Sequence, residues 1–132
     1  MVQMLPIVMD MLIRPETHKV MSTVSADGQP HSIVCGSLIV IDPETIAVGK
    51  VNMYTTCKNL ETNRKVEFLA WLGREAYGIQ AEAVGRITEG PILEKMNQHL
   101  NKMNMVAYEL WAFRVCSVYD EGVGELAGTR II

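Results

Sequence analysis

Two hydroxyls and a lysine stand close together at Thr55, Thr56 and Lys58, inside the polar segment Tyr54-Thr55-Thr56-Cys57-Lys58-Asn59-Leu60-Glu61-Thr62-Asn63. A helix starting here would present free backbone N–H groups and the positive end of its dipole. Thr55 and Thr56 would add hydroxyl donors, and Lys58 a full positive charge. Such a set can hold a phosphate dianion through charge-assisted hydrogen bonds. The same residues also describe an ordinary helix capped by Thr55 or Thr56, with Lys58 in solvent. Just upstream, Val51-Asn52 closes an apolar run. The Asn52 amide can donate and accept, or it can simply start a turn. Lys50 is one more charge nearby, on the strand face opposite Val51.

Other chemistry is poorly represented. Cys35, Cys57 and Cys116 are odd in number and lack C-x-x-C spacing, so neither a disulfide framework nor a zinc site is expected. His18, His31 and His99 stand apart, and no metal site is expected. The net charge is −3 without a lysine or arginine run, which argues against a nucleic-acid partner. No apolar stretch approaches the ~20 residues needed to span a bilayer, and the apolar start from Met1 to Ile13 lacks a basic region. A soluble, cytoplasmic protein is the expectation. The chain of 132 residues, 48% hydrophobic and 20% charged, suits one globular domain over 1–132. So small a domain would gain from dimerisation.

The positioning elements follow from periodicity and turn signals. Pro6–Ile13 reads as a short helix with proline at its first position, ended by Arg14-Pro15. Lys19–Ser25 is strand-like, and Asp27-Gly28 then marks a hairpin. His31–Ile41 reads as one long strand, turned by Asp42-Pro43-Glu44-Thr45 into Ile46–Val51. These three form an antiparallel meander. After the polar segment come strands at Lys65–Leu72 and Tyr77–Thr88, the latter with Tyr77, Ile79, Ala81, Ala83 and Ile87 on one face. Gln80 is a polar outlier of that strand and needs a partner if buried. Gly90-Pro91 opens a helix with Leu93, Met96, Leu100 and Met103 as its apolar stripe. Val106–Tyr119 is the last strand, with Trp111, Phe113 and Val115 on one face, and the glycine-rich tail is irregular. Six strands in mostly hairpin order predict a small antiparallel barrel, mainly β with short helices.

The order of these motifs resembles the FMN-binding split-barrel family, the pyridoxamine-phosphate-oxidase-like flavoproteins. In that family a strand runs into a Ser/Thr-x-Lys step and a short helix ending near Asn. Thr56 and Lys58 match the step, Asn59 lies in the helix, and Cys57 stands where the oxidases proper usually carry arginine. Gln80 lies five residues before Gly85, a spacing at which the family's glutamine commonly reaches the flavin ring. Asp27-Gly28-Gln29-Pro30 matches the opening hairpin. The resemblance then implies that Cys35, Gly36 and Ser37 line the isoalloxazine and that Val51 and Asn52 meet its edge. It implies a homodimer with the flavin at the interface, to which Trp111 of the partner would contribute. The same tryptophan also reads as core or dimer packing. The oxidases' closing Trp and Arg-Leu-x-Pro-like run has no counterpart in Glu125–Ile132, so B6 chemistry does not follow.

These readings point to a six-stranded antiparallel split β-barrel that binds FMN, serving as an oxidoreductase or a small electron-transfer protein with a small-molecule or protein electron donor and acceptor. No general acid or base stands out beside the ring, and no catalytic residue is assigned. Deazaflavin F420, haem (with His31 as the one histidine on an expected strand) and a non-enzymatic dimeric barrel are the alternatives.

Overall fold

The structure, a computed structural model, describes residues 2–132, so the first residue of the expected domain lies outside the described residues. The described residues form three short helices and eight strands. The helices are α1 (Pro6–Ile13), α2 (Tyr54–Thr62) and α3 (Pro91–Asn101). The strands are β1 (His18–Val24), β2 (Pro30–Val34), β3 (Leu38–Asp42), β4 (Thr45–Gly49), β5 (Lys65–Leu72), β6 (Glu75–Ile87), β7 (Leu110–Asp120) and β8 (Thr129–Arg130). All pairings are antiparallel, in the order β2-β1-β5-β6-β7-β4-β3, with β8 added beside β7. β2 and β3 are therefore opposite edges of one curled sheet that does not close.

That order corrects the sequence reading in two places. The expected strand His31–Ile41 is two strands, and the link Cys35-Gly36-Ser37 carries the chain from one sheet edge to the other. Its ends are held separately, Cys35 N–H donating to the Lys19 carbonyl and Gly49 N–H to the Ser37 carbonyl, each at 2.9 Å. The three-strand meander is thus two hairpins, β1–β2 and β3–β4, that do not pair with each other. Both sides of the break are rich in Ile and Val, with no proline between them, so composition could not reveal it. The tail adds the other strand. A turn at Gly128, with φ of 83°, folds it back so that Arg130 pairs with Tyr119, and Ile131 and Ile132 pack on the core. Six expected strands become eight.

Both hairpin turns form as their residues dictate. Gly28 takes φ of 90° and donates its N–H to the Ser25 carbonyl, while Asp42 pairs with Thr45 across Pro43-Glu44. Inside the curl, Phe68 of β5 and Phe113 of β7 meet edge to face at 5.4 Å. Val8, Met11 and Leu12 of α1 plug this core, with α1 packed on β3 and β5. A second, smaller core lies outside the sheet, where α3 covers Ile39, Ala47 and Leu110. Met96 and Leu100 from the expected stripe are fully buried there, worth about 1.5–3 kcal/mol each. Met103 lies beyond the helix end and is exposed. Gly49 gives α3 its close seat, since a Cβ there would stand 3.0 Å from Met96 Sδ.

Candidate functional site

β4 ends at Gly49, and the chain turns into α2 within four residues. Asn52 makes that turn in a left-handed conformation, φ 55°, which asparagine tolerates better than most residues. Its turn-forming reading is borne out, and its side chain is exposed.

α2 begins at Tyr54 behind Met53, and no side chain caps it. Thr55 and Thr56 sit inside the first turn rather than at the cap, which corrects the expected capping role. The first backbone hydrogen bond within the helix runs from Cys57 N–H to the Met53 carbonyl at 2.9 Å. The amides before it are the orphan donors of a helix start. Tyr54, Thr55 and Lys58 share the exposed face of the first turns. Thr56, Asn59 and Leu60 face inward. Thr56 is 1% exposed, and its Oγ1 is buried with no hydrogen-bond partner. Asn59 Nδ2 donates to Thr23 Oγ1 of β1 at 3.0 Å, both buried, and pins the helix to the barrel.

A charged cluster stands over Cys57. Glu109 receives Lys50 Nζ at 3.2 Å and Arg86 at 3.8 Å, and the Lys50 N–H donates to the Glu109 carbonyl at 2.9 Å. The Arg86 guanidinium lies 5.7 Å from the Trp111 ring centroid. Burial pushes the Cys57 thiol up from its ordinary value; Lys50 pulls it back most, with smaller pulls from the Trp111 indole and Arg86, while Glu109 adds to the rise. Trp111 is 8% exposed, and its indole N–H is buried without a hydrogen-bond partner, near the Cys57 sulfur but outside bonding geometry.

The remaining expected residues lie apart. Ser37 is buried and donates its hydroxyl to the Gly49 carbonyl at 2.8 Å, tying the β2–β3 link to the end of β4. Gly36 is exposed, with its carbonyl 3.0 Å from His99 Nε2, and nothing stands within 4 Å of where a Cβ would lie. Cys35 is buried, and desolvation pushes its thiol up to about 12. Val51 is half-buried against the α3 core. Gln80 projects from the outer face of β6, where its carbonyl oxygen accepts the Ser117 hydroxyl at 2.8 Å. It shares a surface hollow with Ser22, Glu67 and Cys116, and no residue of α2 lines it. One protomer thus gathers Lys50, Arg86, Glu109 and Trp111 around Cys57, beside Thr56 in the chain, and does not bring Gln80 to them.

Arg86 and Glu109 were not read from the sequence. Their place depends on the β6–β7 register, which shifts between Gln80 and Ala81 and again between Ala83 and Gly85 before setting Arg86 opposite Trp111. Two bulges defeat simple alternation.

Neither a protein-family model nor a curated protein sequence matches the chain. Solved structures do. HupZ from Group A Streptococcus has a TM-score of 0.79 at 23% identity, over 95% of this chain and 100% of that one. An FMN-binding protein from Syntrophomonas wolfei has 0.74 at 17% identity, over 81% and 78%. A provisionally named pyridoxamine 5′-phosphate oxidase from Lactobacillus delbrueckii has 0.72 at 18%, over 89% and 93%. An F420 reductase and HutZ, a haem storage protein from Vibrio cholerae, share the fold as well. The chain shares their fold, an antiparallel split β-barrel. That fold accommodates more than one ligand, so the ligand must be argued from the site.

Proposed function

We propose that the chain is an FMN-binding flavoprotein whose phosphate site is the start of α2. The observation that carries this reading is the Thr56 hydroxyl, buried and unpartnered in the first turn of an uncapped helix. A buried donor left unmade costs about 1–3 kcal/mol, and a phosphate oxygen would satisfy it. The residues present fit the group. The Thr55 and Thr56 hydroxyls and the free amides would bind the phosphate, with Lys58 adding charge. Lys50 and Arg86, held over Cys57 by Glu109, stand where the family's extra arginine is missing. FMN, when bound, would supply hydride or electron transfer. The chain's own part is to bind and orient it, as an oxidoreductase or electron carrier.

We also propose a homodimer. Val34, 85% exposed, and Leu69, 36% exposed, flank Val20 in register and form an apolar row on the outer sheet face. A partner seated there would cover it, and could bring its own outward-facing Gln80 to the bound flavin.

The visible spectrum of the purified protein, before and after FMN addition and desalting, tests the reading. A retained flavin spectrum near one per chain supports it, and Lys58→Ala should then weaken FMN more than riboflavin. A silent FMN titration overturns it, and a Soret band in the same spectrum would assign haem instead.

A further inference from the structure

The split between β2 and β3 opens into a cleft of about 860 Å³, walled by the end of α1, the start of β1, the Cys35-Gly36 link and α3. Its charge is one-sided. Arg14, Lys19, Lys95 and Lys102 line it together with His18 and His99, and no aspartate or glutamate does. This is a chain of net charge −3. Among the described residues, none of those four cations forms a salt bridge; Glu109 alone takes both ion pairs, with Lys50 and Arg86. Lys19 Nζ and Lys95 Nζ instead donate to the carbonyls of Leu12 and Val40, at 3.4 and 3.1 Å. Burial lowers the pKa of Lys19, the cost of placing an uncompensated ammonium against the cleft wall. Lys95, His99 and Lys102 recur at helical spacing along one face of α3 and its end.

The floor is apolar. Val20, Leu38 and Ile39 line it, and Trp71 closes one side with His18 against it at 5.2 Å between ring centroids. Unpaired like charges kept together cost energy unless an anion joins them, and an apolar floor beneath them favours a body that is not simply ionic.

We propose that this cleft binds an amphipathic organic anion, an aromatic or aliphatic body bearing a carboxylate, sulfonate or phosphate, at a site separate from the α2 corner. The anionic group lies among Lys95, Lys102 and Arg14, and the body rests on Leu38, Ile39 and Trp71, beyond the Val20 row assigned to the dimer. The inference does not depend on the flavin reading. The link between β2 and β3 joins the two places, because Gly36 meets His99 in the cleft while Ser37 is bonded to Gly49 at the foot of the α2 turn.

The test is a fluorescence titration of the full-length protein with anilinonaphthalene sulfonate, and with N-phenylnaphthylamine as its uncharged counterpart. The sulfonate should bind near one per chain, be displaced by decanoate, and weaken with salt. The double variant Lys95→Glu, Lys102→Glu, both exposed and so harmless to folding, should bind it about tenfold more weakly or worse. Inorganic phosphate alone should not displace it, because phosphate has no apolar body. Thr56→Val and Lys58→Ala should leave it unchanged. Equal binding of the uncharged probe, or no loss in the charge-reversal variant while circular dichroism shows an intact fold, overturns the proposal. Displacement by FMN, with FMN binding lost in the charge-reversal variant, also overturns it, because the cleft would then be the flavin's own site.

Discussion

Thr56→Val separates a binding role from a structural one. Valine keeps the shape of threonine and removes only the hydroxyl. In the ligand-free protein that hydroxyl is 1% exposed and unpartnered, so its burial is a cost. Replacing it should raise stability by about 1 kcal/mol, the low end of the penalty for an unmade buried hydrogen bond. For a domain of this size that is about 4 °C in Tm. With FMN present the sign reverses. A hydrogen bond to a charged phosphate is worth about 1.5–3 kcal/mol, so FMN should bind roughly ten- to a hundredfold more weakly. Riboflavin, lacking the phosphate, should bind equally well to both proteins. The assays are differential scanning calorimetry of the ligand-free proteins and flavin fluorescence quenching. A lower Tm in the variant would mean that the hydroxyl has a partner in solution. Unchanged FMN affinity would refute its place in the phosphate site.

Other outcomes follow from the same contacts. Arg86→Ala should weaken FMN about tenfold and leave riboflavin unmoved, by loss of a cation close to the site, as read by the same quenching titration. Thr23→Val leaves the buried Asn59 amide without its acceptor and should cost about 1–3 kcal/mol in urea denaturation, loosening α2 from β1. Phe68→Ala, at the centre of the barrel core, should cost about 3–5 kcal/mol. Burial raises both Cys35 and Tyr77 to about 12, from ordinary values of 9.0 and 10.0. The unfolded chain releases these protons first, so stability should hold below pH about 9 and fall as pH climbs toward 12. A flat urea midpoint across that window would contradict it.

What was legible in the sequence is local. Pro6–Ile13 forms as its proline start and Arg14-Pro15 stop require. The Asp27-Gly28 and Pro43 turns fold where turn chemistry puts them, and α2 follows the polar segment. What was not legible is set by pairing between distant strands. Nothing in the Ile- and Val-rich run from His31 to Ile41 says that Gly36 is where the sheet splits, because both halves are strand-forming and no proline separates them. Gln80 was grouped with Thr56 and Lys58 by motif order, yet within one protomer it faces the opposite side of the wall. The unpaired cations of the cleft escaped for the same reason. Lys95 and Lys102 are far along the chain from Arg14 and Lys19, and only the approach of α3 to the open edge of β3 assembles them.

On the proposed reading, the surroundings of Cys57 make up for the missing motif residue. By sequence the position loses one cation. In space it sits under Lys50 and Arg86, and the two share the single carboxylate of Glu109. Two positive charges against one negative leave one positive charge, equal to that of the absent arginine. The delivery differs. An arginine at position 57 would ride on the helix itself, whereas these cations stand just past β4 and near the end of β6, held by Glu109 just before β7. Their placement is therefore coupled to the sheet. A change that shifts the β6–β7 bulges would move Arg86 off Trp111 and strip the proposed phosphate corner of charge, without touching any residue of α2. On this reading the bulge at Val84, between Ala83 and Gly85, sets the register that carries Arg86 to Trp111.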